Sequence, residues 1–153
     1  MTPFDPASGA VLVHRPGAVY PPAGPFHPGA AYPEYPFGAE HVGPANDAYA
    51  LVREALRDLQ MDAARFGTPE WNPLGDFLRP GARVVIKPNL VLDRHPAGGD
   101  PTCLVTHGAV ARAVLDYVSL ALGGAGEVVI GDAPLQGTDF GAAARAAGLP
   151  AVL

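Results

Sequence analysis

The chain has 153 residues and a formal charge of −5, with its ten basic residues scattered rather than clustered, so it lacks the electrostatic footprint of a nucleic-acid binder. A single cysteine, Cys103, excludes an internal disulfide, and no apolar run reaches the roughly 20 residues needed to cross a membrane. The stretch Ala10–Val13 is too short for the core of a secretory signal and His14-Arg15-Pro16 interrupts it, so a cytoplasmic location is expected.

Residues 1–45 are dense in proline and aromatic residues, as in Tyr20-Pro21-Pro22, Pro25-Phe26-His27-Pro28 and Tyr32-Pro33-Glu34-Tyr35-Pro36-Phe37. Proline fixes φ and pushes the preceding residue toward extended backbone, so this segment is predicted to be an irregular arm. It would lie over its own domain with Tyr and Phe as anchors, or else serve as a ligand for a partner's aromatic groove. Val11–Val13 is a candidate edge strand.

An α/β domain is expected over 46–153. Asn46-Asp47 reads as a helix start, and Tyr49, Val52, Ala55, Leu56 and Leu59 at helical spacing predict an amphipathic helix over 47–60. A long connection over 61–81 follows, pinned by Trp71 and Phe77, and Pro80-Gly81 turns it into a strand. Val84-Val85-Ile86 is apolar at every position, the pattern of a central parallel strand covered on both faces. Pro88 cannot donate to a ladder, so pairing should stop there. The loop from Leu90 to Val105 is far longer than an ordinary strand-to-helix connection, which suggests a binding loop.

Thr106 is the expected N-cap of the next helix. From there Val110, Ala113, Val114, Tyr117, Val118 and Ala121 trace one apolar stripe to a stop at Gly123-Gly124. Glu127–Ile130 is a second buried strand, which makes a βαβ unit with a Rossmann-like crossover in a parallel sheet. Asp139 should cap a third helix over 140–147, closed by Gly148 and Pro150, and Ala151-Val152-Leu153 resembles the start of a third strand. On this reading the chain is the N-terminal part of a larger domain.

Ligands of open α/β sheets sit beyond the carboxyl ends of the strands. That rule gathers Lys87, Asn89, Asp132 and Thr106, with Asp93 and Thr102 from the long loop. Of the ten basic residues nine are arginine and one, Lys87, is lysine. An ammonium beside a helix start suits an anion, either a carboxylate or a sugar phosphate. Lys87 and Asp132 are the candidate catalytic pair, with Asp132 as acid/base or metal ligand, and Asn89, Thr106, Asp93 and Thr102 are candidate substrate-binding residues. Plainer roles are a strand-end charge paired with a carboxylate for Lys87 and a turn cap for Asp132. Cys103, His107, Asp93 and His95 have no regular metal-ligand spacing, so no metal site is assigned. There is no G-x-G-x-x-G, no P-loop and no G-x-S-x-G elbow, which argues against the common dinucleotide, nucleotide and hydrolase sites. No cofactor can be named.

The segments VVIKPNLV (84–91), THGAVARAVLDYV (106–118) and EVVIGDAPLQGTDF (127–140) together resemble the DUF362 family, domain of unknown function 362, whose members end one strand in a KPN-type turn and the next in a GD-type turn. YPEYPF (32–37) and FGTPEWNPLGDFLRPG (66–81) are similar to the N-terminal region of one branch of that family, found beside polysaccharide-type gene clusters. The resemblance implies a larger α/β protein without a generally established activity. Some relatives carry ferredoxin-like cysteine clusters for [4Fe–4S] centres, but Cys103 alone cannot build one. The leading expectation is an enzyme portion that binds a small anion, with a further C-terminal region or a homo-oligomer completing the site. A non-catalytic module working through its arm, or an inactive truncated fragment, are the alternatives.

Overall fold

The computed structural model describes residues 11–152; residues 1–10 of the predicted arm and Leu153 lie outside that range. Among the described residues the chain is a mixed α/β structure with three α-helices and one two-stranded parallel sheet. The helices are α1 (Asp47–Asp58), α2 (Gly108–Leu122) and α3 (Phe140–Ala146), and the strands are β1 (Arg83–Ile86) and β2 (Glu127–Ile130). The strands pair in register from Arg83 with Glu127 to Ile86 with Ile130, and α2 lies between them in sequence.

Local chemistry accounts for the element ends. The Asn46 side chain accepts from Tyr49 N and caps α1, and Asp139 does the same for α3 through Ala142 N. Gly123 ends α2 in the left-handed conformation, where glycine carries no Cβ penalty. Thr106 is not the cap of α2. His107 holds that position, with Nδ1 accepting from Ala109 N, because the Thr106 hydroxyl is already engaged by the Asn89 backbone N–H.

Helix α2 is the hub. Its buried residues run almost all the way round, and they include Arg112 and Asp116 as well as the expected apolar stripe. One side packs on α1, where Tyr49, Trp71, Ala113 and Tyr117 form a core cluster with Tyr35 of the arm. A second cluster joins Ala109 and Ala111 to Phe26, Leu90, Ala143 and Val152. Gly108 sits where the arm, α2 and the end of α3 converge. A Cβ there would fall 3.0 Å from the Ala147 carbonyl oxygen, and its N–H donates to that oxygen at 2.6 Å.

Among the described residues the arm has no regular strand, and Val11–Val13 is irregular with Leu12 91% exposed. Its later part is tied down by buried Phe26, Tyr35 and Glu34. In the connection over 61–81, Trp71 is fully buried and its Nε1–H donates to the Met61 carbonyl, whereas Phe77 stays 48% exposed.

Two further expectations are corrected. Strand β1 is not covered on both faces: Val85 is 64% exposed, because among the described residues α2 covers one face of a two-stranded sheet and no helix covers the other. Ala151 and Val152 do not start a strand. Gly148 in the left-handed region and Pro150 set up a 3-10 turn over Leu149–Ala151, and the N–H groups of Ala151 and Val152 are consumed by Gly148 and Leu149 carbonyls. Val152 is buried in the core instead.

Candidate functional site

The ends of β1 and β2 converge on one carboxylate. Asp132 follows β2, and its Oδ1 lies 2.6 Å from Lys87 Nζ at the end of β1. The same oxygen accepts from Ala133 N, and Oδ2 accepts from Leu90 N at 2.7 Å. Asp132 therefore fastens the start of the long loop to the end of the neighbouring strand. Its side chain is 5% exposed while that of Lys87 is 61% exposed. The hydrogen bond from Lys87, followed by that from Leu90 N–H, holds the Asp132 carboxyl below its ordinary range. The lysine thus has a fixed anchor and two remaining N–H donors turned to solvent.

Asn89 and Thr106 form the second half of the site. Asn89 N donates to Thr106 Oγ1 at 3.0 Å, and Thr106 N donates to the Asn89 carbonyl at 2.8 Å. This exchange pins the entry of α2 against the end of β1. It leaves the Thr106 hydroxyl proton available, and the exposed Asn89 amide has no partner among the described residues. One residue further on, Leu90 is fully buried and bridges to Val105 in antiparallel fashion, so the long loop is closed at its base.

Lys87, Asn89 and Thr106 border one groove of about 400 Å³ between β1 and the side of α2. The remaining walls are apolar, with Val84 and Ile86 from the strand and Val110, Val114 and Val118 from the helix. Asp93 and Thr102 are not brought to this groove. The Asp93 side chain is largely buried, with Oδ1 unpartnered among the described residues and Oδ2 3.7 Å from Arg94 Nη1. Thr102 is exposed in the 3-10 turn Pro101–Leu104, where its N–H is held by Asp100 Oδ1. It borders a separate shallow cleft with Cys103, His107 and Tyr20, in which the Tyr20 and His107 rings stack at 4.3 Å. Among the described residues no three His, Cys, Asp or Glu side chains stand together as metal ligands would.

A polar cluster that sequence reasoning missed lies on the opposite side of α2. Arg112 donates to Asp116 Oδ1 from Nε and to the Pro25 carbonyl from Nη1, and its Nη2 meets His27 Nδ1. Tyr49 donates to Asp116 Oδ2 and Tyr117 to Glu34, whose carboxylate also takes two bonds from Arg53. Burial pushes the Asp116 carboxyl up to about 6 against the pull of Arg112, and burial lowers His27, helped by the Arg112 charge. The one available signal was Arg112 and Asp116 four residues apart on a helix otherwise rich in Ala and Val.

Among the described residues no helix is long and apolar enough to cross a membrane. Searches among curated proteins and among solved structures each returned no match. Residues 84–153, which begin within β1 and include both strand ends and the groove between β1 and α2, match the model described as Domain of unknown function (DUF362).

Proposed function

We propose that the strand ends bind a small anionic molecule, a carboxylate or a sugar phosphate, with Lys87 as its counter-charge and Asn89 and Thr106 as orienting groups. The observation that carries this reading is an exposed lysine ammonium anchored on a buried carboxylate, with two donors left over, at the mouth of a groove. Asp132 is assigned a positioning part. Both its oxygens already accept hydrogen bonds, so it fixes the ammonium rather than moving a proton. The β1–α2–β2 connection is read as a right-handed Rossmann-like crossover, which would place the site where such sheets bind ligands. What weighs against a docking role for the arm is that Phe26 and Tyr35 are already buried against their own domain.

The test is a thermal-shift screen of small carboxylates and sugar phosphates against the wild type and Lys87→Met. The expected result is a ligand-induced rise in Tm that the variant loses, with the ligand-free Tm nearly unchanged because Lys87 is mostly exposed. A large fall in the ligand-free Tm of Lys87→Met would make the lysine a structural clamp and sink the reading.

A further inference from the structure

The groove beside Lys87 has a wall that a hydrocarbon would not satisfy. In a parallel pair, alternate residues turn their backbone groups to one neighbour. The bonds Glu127 N to Ala82 O and Gly131 N to Ile86 O assign Ala82, Val84 and Ile86 to β2. The N–H and C=O groups of Arg83, Val85 and Lys87 therefore face the other way, where β1 has no strand partner among the described residues. Such a row of backbone groups pairs readily with another extended chain.

The opposite wall matches it in length and character. Val110, Val114 and Val118 make a ridge at four-residue spacing along α2 that runs about 12 Å at a rise of ~1.5 Å per residue. The edge from Arg83 to Lys87 runs about 13 Å at ~3.3 Å per residue. A lane between a strand edge and an apolar helix accepts one extended segment of about five residues, whose alternate side chains lie against the valine ridge.

The lane is closed at the Lys87 end. Pro88 has no N–H, and the Asn89 N–H is taken by Thr106 Oγ1, so pairing cannot run past it. A segment that stops there by ending supplies a group for the ammonium: a parallel chain delivers its terminal carboxylate to Lys87, Asn89 and Thr106, whereas an antiparallel one would bring its ammonium onto a lysine. A second copy pairing β1 on β1 about a twofold axis would set Arg83 opposite Lys87, with like charges facing across the strands.

We infer that the groove between β1 and α2 captures the free C-terminus of an extended, apolar peptide from another protein, added as a parallel strand to the edge of β1 with its carboxylate on Lys87. This rests on the anion reading of Lys87 and names the anion as a peptide carboxylate.

The test uses a fluorescein-labelled hexapeptide of alternating serine and valine that ends in a valine with a free carboxylate, titrated with the full chain and followed by anisotropy. Its C-terminally amidated form is the control. Saturable binding is expected, weakened by about tenfold or more on amidation and equally in Lys87→Met, the worth of one charged hydrogen bond. Val114→Arg, on the partly exposed ridge, should abolish it while circular dichroism shows an unchanged fold. Equal binding of acid and amide overturns the inference, as does binding that survives Val114→Arg. If neither peptide binds but acetate or inorganic phosphate shifts the Lys87 and Asn89 amide resonances in a Lys87-dependent way, the inference falls and the anion reading stands. If no probe perturbs β1, both fall.

Discussion

The two sides of α2 put polar groups to opposite use. Toward α1 and the arm, Arg112 and Asp116 are buried with every side-chain nitrogen and oxygen bonded, each to groups that arrive from distant parts of the chain. Toward β1 the helix offers a valine ridge to an open lane, and the polar groups at its end retain unused donors. Saturated buried polar groups hold a fold in one arrangement, since any lost partner leaves a desolvated group behind. Donors left over at a groove mouth, on a scaffold fixed elsewhere, are what a ligand can use. Lys87 and Asp132 divide these parts within one pair: the carboxylate is saturated and the ammonium is not.

Breaking the saturated side should have the largest effect. Arg112→Met strands Asp116 with Tyr49 alone, and removal of one partner from a buried pair costs about 3–5 kcal/mol. Urea unfolding at pH 8 would measure it, and a loss under about 1 kcal/mol would mean that α2 does not need the arm. Trp71→Ala removes the fully buried ring between Phe66 and Tyr117 and should lower stability by about 3–5 kcal/mol in the same assay.

The pH dependence sharpens the contrast. Asp116 has its folded pKa raised to about 6 by burial, so its contribution to stability is fully present below the ordinary carboxylate pKa and is lost as pH rises through about 6. His27 and His107 are lowered, mainly by burial; their contribution is present above the ordinary histidine pKa and lost as pH falls through the folded value. Asp132, depressed by Lys87 and Leu90 N–H, loses its contribution only as pH falls below the ordinary carboxylate range. The difference in Tm between wild type and Asp116→Asn isolates the first term, and it should change across pH 4–6. A flat difference would mean that Asp116 is solvated.

The smallest effect is expected on the open face of the sheet. Val85→Thr keeps the β-branch and changes an exposed site, so stability should move by no more than about 0.5 kcal/mol. A loss above about 1 kcal/mol in urea would reveal that another polypeptide covers this face in solution.

Much of the fold was legible locally. Asn46 and Asp139 are short polar side chains that find their helix N–H groups three residues away, and β2 has the predicted bounds, Glu127–Ile130. The meeting of Lys87 with Asp132 followed from parallel strands ending at the same level. Other features could not be read this way. Thr106 and His107 can each cap α2, and the choice was made by the Asn89 N–H, seventeen residues back. The Tyr49–Asp116 and His27–Arg112 contacts join residues 67 and 85 positions apart, so on its own helix Asp116 reads as a solvated charge.

By itself the sequence determined the helices, the two strands, the punctuation between them and the end of the sheet where polar groups gather, because periodicity, caps and proline act over a few residues. Only the tertiary structure decided that Phe26, Glu34 and Tyr35 of the arm are buried in the core, that Asp132 is a clamp bonded through both oxygens, that Asp93 and Thr102 stand apart from the groove, and that β1 has one strand neighbour among the described residues. Each of these depends on which distant group supplies the missing hydrogen bond or excludes water, and chain packing alone decides that.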